Sequence, residues 1–307
     1  MEYTTIGVDV SKAHLDVFFL PTGEVATFAN TPQGFRQLQR RLSTSPGARV
    51  FMESTSCYHL PLARFLAANG VAVFVVNPKH VRDFAKACGR LAKTDRLDAE
   101  IIARFGELMP QKNVVVSEEA RENLKRLSCR RRQVVMLLSM EKNHLEKAEF
   151  CAEKEVLSSV RNNIRSLEKQ VAKWDAKLLE IIAANAELSE LYARMTAVQG
   201  IGQATAVALI ADLPELGRIG KRQIAALAGL APMNCDSGSL RGQRHIRGGR
   251  RSVRCALYMA TISATRCNDV IRTYYKRLRT AGKPPKSALT ACMRKLLLHL
   301  NSIAANL

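Results

Sequence analysis

Four acidic residues have the types and placing that metal-dependent phosphodiester chemistry requires: Asp9, Glu53, Asp95 and Asp98. Asp9 lies in the apolar run Ile6-Gly7-Val8-Asp9-Val10, followed by Ser11-Lys12, and Glu53 ends a second run, Val50-Phe51-Met52-Glu53. Asp95 and Asp98 share Lys93-Thr94-Asp95-Arg96-Leu97-Asp98-Ala99, and their i,i+3 spacing puts both carboxylates on one helix face. Carboxylates at the ends of buried strands are costly unless paired or bound to cations. Hard divalent ions such as Mg²⁺ take carboxylate oxygens of this kind. Two such ions about 3.5–4 Å apart stabilise the attacking and leaving oxygens of a phosphodiester displacement. Each acid alone has a plainer account. Asp9 suits a turn after a strand, and Asp95 suits a helix N-cap with Asp98 in the first turn. Glu53 is harder to explain away, because glutamate is rarely buried without a partner. The four together, in a chain this basic, favour a metal site.

The elements that would position them follow from local patterns. Thr5–Asp9, Leu15–Leu20 and Val25–Phe28 read as strands, the last two joined through Pro21-Thr22-Gly23. Thr31-Pro32 predicts an N-cap with proline in the first turn, opening a helix towards Leu42. Val50–Glu53 is a fourth strand, a helix from about Leu60 ends at Asn69-Gly70, and Val71–Val76 is a fifth strand closed by Asn77-Pro78. A helix then runs from about Thr94 to Leu108. Three strands followed by strand–helix–strand–helix predict a mixed α/β sheet of the ribonuclease-H type over residues 1–115.

From residue 116 to 192 the pattern is helical. Leu157, Val160, Ile164, Leu167, Val171, Trp174, Leu178 and Ile181 recur at alternating +3 and +4 steps, a heptad seam. No Gly or Pro interrupts residues 111–199, so two long helices in an antiparallel coiled-coil hairpin are expected. The seam is read as packing, within the hairpin or between subunits, and Arg130-Arg131-Arg132 as a solvated face.

The third region, 193–307, is expected to be mostly α-helical. Val198-Gln199-Gly200-Ile201-Gly202-Gln203, followed by Ala204–Leu213, resembles a helix-hairpin-helix, in which Gly200 and Gly202 would let backbone N–H groups approach a DNA phosphate. Ala228-Gly229-Leu230-Ala231-Pro232 precedes Asp236-Ser237-Gly238-Ser239-Leu240-Arg241-Gly242. Arg244, Arg247, Arg250, Arg251 and Arg254 follow, with Gly248-Gly249 among them. With Arg241 these arginines form a candidate nucleic-acid-binding set, suited to phosphate oxygens and to a phosphoryl transition state. Ser237 beside glycines can approach a phosphate closely. Local chemistry alone leaves it a DNA-contact hydroxyl, because no His or Asp dyad activates it.

Charge separates these regions. The 307 residues carry a formal +20, and Leu216–Leu307 alone hold 18 Lys and Arg against two acids, a net +16. Residues 1–215 hold 29 basic and 25 acidic groups, only +4. So one-sided a domain repels itself unless it meets a polyanion, which makes nucleic acid the natural partner. A membrane is the competitor, but no apolar stretch approaches the ~20 residues needed to span one and no signal peptide opens the chain. The eight cysteines form no CxxC pair and the six histidines no ligand-like cluster, which argues against structural zinc and for a reducing cytoplasm.

Taken together, these motifs resemble those of the DEDD-type transposases of bacterial insertion sequences, also called bridge recombinases. The matching stretches are Ile6–Asp9, Glu53-Ser54-Thr55, Lys93–Ala99, Gly200-Ile201-Gly202, Leu227–Pro232 and Ser237-Gly238-Ser239 with its Arg-Gly tail. Asn77-Pro78 and Lys79 also fit the pattern. The resemblance covers nearly the whole length and implies a RuvC-like N-terminal domain, a coiled-coil insertion and a C-terminal transposase domain. It further implies that Asp9, Glu53, Asp95 and Asp98 bind Mg²⁺, with Mn²⁺ as a substitute. The serine matching Ser237 would be the nucleophile, forming a phosphoserine link to cleaved DNA, with Ser239 two residues away as the competing assignment. The family's tetramers, in which the acids of one subunit meet the serine loop of another, imply a homo-oligomer, dimer to tetramer. A structured noncoding guide RNA that pairs with target and donor DNA would carry sequence specificity. The expected setting is the bacterial cytoplasm, on the nucleoid when bound to DNA. Two other readings compete: a Holliday-junction-resolvase-like endonuclease working by water attack, and a non-catalytic nucleic-acid-binding protein.

Overall fold

The computed structural model describes residues 3–20, 22–45, 47–54, 56–89, 95–109, 119–151, 153–234, 236–237, 240–242 and 244–307, with the backbone alone for Asp95, Arg96, Leu97, Glu119, Asp236, Ser237, Leu240 and Arg241. They form two compact units, Met1–Val116 and Ser117–Leu307.

In the first unit, β1 (Thr5–Val10), β2 (His14–Leu20) and β3 (Glu24–Ala29) form an antiparallel meander. Helix α1 (Pro32–Leu42) crosses to β4 (Arg49–Glu53), and α2 (Leu60–Ala68) to β5 (Ala72–Val76). The sheet order is β3-β2-β1-β4-β5, with β4 parallel to β1 and β5 parallel to β4, the ribonuclease-H-type order that the pattern predicts. Thr31 Oγ1 accepts from the Gly34 amide at 3.3 Å and so caps α1. The same device recurs where sequence reading placed only a strand end: Asn77 accepts from the Lys79 amide at 2.9 Å and opens α3 (Pro78–Ala87). Helix α4 spans Asp95–Leu108.

Alternation divides the sheet's two faces. Ile6, Val8, Leu15, Val17, Phe19, Val50, Met52 and Val73 pack under α1 and α2. The opposite face carries Gly7, Phe18, Phe51 and Phe74 and is covered by α3 and α4. A Cβ on Gly7 would stand 2.1 Å from the Ala99 carbonyl oxygen and 2.5 Å from the Ala103 nitrogen, so α4 lies directly on β1.

The second unit begins with α5 (Glu119–Cys151) and α6 (Lys154–Ala183). Ion pairs Lys142–Glu168 and Glu149–Arg161 fix them as an antiparallel hairpin, because partners advance along one helix as they recede along the other. The eight seam residues from Leu157 to Ile181 are all buried or half-buried. The helical run is not two helices but three. Asn185 accepts from the Leu188 amide at 3.0 Å and starts α7 (Ala186–Thr196), a break that the absence of Gly and Pro concealed. Then come α8 (Gln203–Asp212), α9 (Lys221–Leu227), and the short strands β6 (Pro232–Met233), β7 (Asp236–Ser237), β8 (Leu240–Arg241) and β9 (His245–Ile246). Helices α10 (Arg251–Cys267), α11 (Asp269–Thr280) and α12 (Pro285–Ala305) complete it. Leu178, Ile182, Leu188, Met195, Leu209, Ile210, Leu257 and Leu297 share one core, so the foot of the hairpin and the terminal helices are buried together. Among the described residues no helix is long and apolar enough to cross a membrane.

Candidate active site

The parallel register pairs Gly7 with Phe51 and Val8 with Met52. Asp9 and Glu53 each lie one residue further on, at the same ends of neighbouring strands and, by alternation, on the face that α4 covers. Both are half-buried. Helix α4 packs on β1 and β4: Gly106 and Met109 border Arg49 and Phe51 in a cleft, and Ala99 and Ala103 lie over Gly7. Asp98, half-buried, lies one residue before Ala99 on this helix. Asp95 sits one turn earlier, in the first turn of α4. Gly7 has a definite task in this arrangement, since any side chain there would lift the helix off the strand.

The donors are hard oxygens from two strand ends and a helix start, a set chemically suited to a hard divalent cation. Among the described residues no three Asp, Glu, His or Cys side chains form a ready-made cation site, and the Asp95 side chain lies outside them. Sequence reading missed one acid at this edge. Asp16 pairs with Asp9 across the β1–β2 register, on the same face, and accepts from Thr27 Oγ1 at 2.7 Å. Only the antiparallel register brings it beside Asp9, and residue spacing in a single strand gives no hint of it.

In the second unit Ser237 ends β7, where it pairs with Leu240 of β8, and Asp236 pairs with Arg241. Pro232–Met233 pair with His245–Ile246 outside that ladder, so the serine stands on the inner rung of a nested β-arm rather than in the plain loop the sequence suggested. Ser239 lies outside the described residues. The arm's base is clamped by glycines. Gly229 and Gly249 both have φ near +70° (67° and 70°), and a Cβ on Gly249 would stand 2.1 Å from the Gly229 nitrogen. One backbone crosses the other with no room for a side chain. Arg254 seals the crossing by donating to the Gly248 carbonyl at 2.8 Å.

Of the arginines proposed for nucleic acid, Arg244, Arg247 and Arg251 are exposed. Arg250 is engaged otherwise: its guanidinium donates to both Glu215 oxygens, at 2.5 and 2.6 Å, and to the Asp212 carbonyl at 3.1 Å. Burial pushes the Glu215 carboxyl up, but the Arg250 hydrogen bonds and charge, helped by Lys125, outweigh it and hold it below the usual range. Gly200 also has a packing task, since with φ of 97° it sits where a Cβ would stand 2.5 Å from the Ala264 Cβ of α10. Gly202 is exposed and caps α8.

A family model described as a transposase of the DEDD IS110 type matches residues 6–148, and one described as Transposase IS116/IS110/IS902 family matches residues 192–276. A pilin gene-inverting protein of Moraxella bovis is 28% identical over 97% of this chain and 94% of its own length, and its counterpart in Moraxella lacunata matches to the same extent. The insertion element IS110 43.6 kDa protein of Streptomyces coelicolor is 28% identical over 46% of this chain and 34% of its own. Among solved structures, T. thermophilus RuvC in complex with a Holliday junction substrate aligns with 37% of this chain and all of its own at 13% identity and a TM-score of 0.28, too slight a likeness to build on. From two family models that together match residues 6–148 and 192–276, and relatives along nearly the full length, the chain belongs to the IS110-type insertion-sequence transposases and is an enzyme of DNA recombination.

Proposed function

We propose that the protein cuts and rejoins DNA by a serine nucleophile working with a Mg²⁺-dependent acidic tetrad. Asp9, Glu53, Asp95 and Asp98 would hold the metal, with Mn²⁺ as a substitute, and Asp16 supports the edge beside Asp9. The observation that supports the reading is the placing of Asp9 and Glu53 at the same ends of neighbouring strands, on the face covered by α4, the helix that carries Asp98. Bound divalent metal would supply charge stabilisation for the phosphoryl transition state.

The serine step balances simply. Ser237 Oγ forms a bond to phosphorus as its proton departs, the bond from phosphorus to one sugar oxygen breaks, and that oxygen takes a proton. Rejoining reverses this, as a free sugar hydroxyl attacks the phosphoserine and releases Ser237. Ester energy is conserved, so no nucleotide cofactor is required. Exposed Arg244, Arg247 and Arg251, with Arg241, would neutralise phosphate around the β-arm, and the Gly200–Gly202 turn, as a helix-hairpin-helix, would contact backbone phosphate. Arg250 and Arg254 serve the same surface indirectly, by fixing the arm's base. Assembly through the α5–α6 hairpin as a coiled coil, with acids and serine arm meeting in trans in a dimer or tetramer, supplies the activator that the serine lacks locally. A structured guide RNA would choose donor and target DNA by base pairing.

Metal titration tests the tetrad. Mg²⁺ or Mn²⁺ should raise the melting temperature of the wild type, and this rise should be lost in Asp9→Ala and Asp98→Ala. A rise of equal size in both variants would refute it.

A further inference from the structure

We propose that the cleft between α11 and α12 is a second contact site for the DNA backbone, separate from the β-arm. The cleft encloses about 700 Å³ and is lined by Tyr274 and Arg277 of α11 and by Arg294, Lys295 and Leu298 of α12, with Asp269 at its rim. Tyr274 organises it. The Arg277 guanidinium lies 5.2 Å from its ring centroid and the Lys295 ammonium 4.7 Å, so one half-buried ring holds cations from both helices in place. Arg294 adds a third charge, and its Nε is buried without a hydrogen-bond partner among the described residues.

A basic surface of structural origin neutralises itself with neighbouring carboxylates. This one does not. Asp269, the one acid lining the cleft among the described residues, is taken by Arg272, and none of Arg277, Arg294 and Lys295 has a carboxylate within ion-pairing distance there. From Asp269 to Leu307 the chain carries eight Lys and Arg against that single acid. Three convergent cations in a concave, partly apolar wall repel one another until an anion enters, and a run of phosphates relieves all three together. The substrate of this enzyme is DNA, and the matched transposase models end at residue 276, before α12 begins. Sequence gave no warning, because Tyr274, Arg277, Arg294 and Lys295 meet only when the two helices pack. The site rests on DNA being the substrate but not on the serine chemistry, so binding reads it independently of cleavage.

The test measures binding of the full-length protein to a duplex of arbitrary sequence across a salt series. R277A/K295A should weaken binding about tenfold, and the slope of log K against log salt should fall by about 1.8, the release expected for two phosphates. Tyr274→Leu should weaken it less, and Tyr274→Phe not at all. A charge-matched control, K169A/K173A on α6, should leave the slope as it is. If R277A/K295A melts early, Arg277→Gln keeps the helix and should lower the slope by about 0.9. The proposal is overturned by an unchanged slope in the folded variant, by an equal fall in the control, or by a loss confined to an RNA hairpin probe while duplex binding persists.

Discussion

Asp9, Glu53 and Asp98 come from three separate elements, β1, β4 and α4. In the proposed tetrad, removing one should leave the fold intact. Asp9→Ala is expected to abolish recombination while the metal-free melting temperature holds or rises, since a like charge has gone; full activity in that variant would exclude a metal role. These acids stood out in the sequence because carboxylates at the ends of buried strands are costly unless paired or bound to cations. Asp16 was not, because its place beside Asp9 depends on the β1–β2 register. The glycines divide similarly. Gly248-Gly249 had no assigned task in the sequence, yet Gly249 is needed where its backbone crosses Gly229. Gly249→Ala should cost about 2–4 kcal/mol, from an unfavourable φ and a backbone clash, read by denaturant unfolding. A loss below roughly 0.5 kcal/mol, the range of ordinary surface substitutions, would show that the crossing is not rigid.

Periodicity at the scale of elements served well where one rule operated alone. The Leu157–Ile181 seam faces inward along its whole length, and the sheet's two faces follow strand alternation. It failed where an asparagine cap began a helix. Asn185 split a run that reads as continuous, and Asn77 opened α3 where the sequence suggested only a stop. The nested β-arm was illegible, because two-residue strands carry no alternation to detect. Polar substitution at Val160 and Leu167 together should lower the oligomeric state, or unfold the hairpin if the seam is wholly internal. An unchanged sedimentation profile with an intact hairpin would refute both. The Arg250–Glu215 pair makes a pH prediction. The folded Glu215 carboxyl sits below its ordinary range, so its stabilisation is fully present above the unfolded value and is lost as pH falls through the folded one. The melting-temperature gap between wild type and Glu215→Gln should hold near neutrality and close below about pH 4. A gap that persists in acid would mean that the pair does not clamp the arm.

Across the whole molecule the charge asymmetry, +16 from Leu216 onward against +4 before it, was legible from composition alone and names a polyanionic partner. Substituting Arg244, Arg247 and Arg251 together by Ala should reduce the salt slope of duplex binding by about 2.7, whereas three basic residues of the first unit should matter far less. What composition could not supply is the proposed chemistry, with acids in the first unit and a serine in the second. The most direct measurement is a denaturing gel of end-labelled DNA incubated with the protein, the proposed guide RNA and Mg²⁺. The wild type should give a protein–DNA adduct. Ser237→Ala should bind both nucleic acids yet give neither adduct nor cleavage, Ser239→Ala should retain both, and Ser237→Cys should be much slower, because a soft thiolate suits Mg²⁺ poorly. Cleaved ends without any adduct in the wild type, or an adduct that survives in Ser237→Ala, would contradict the account.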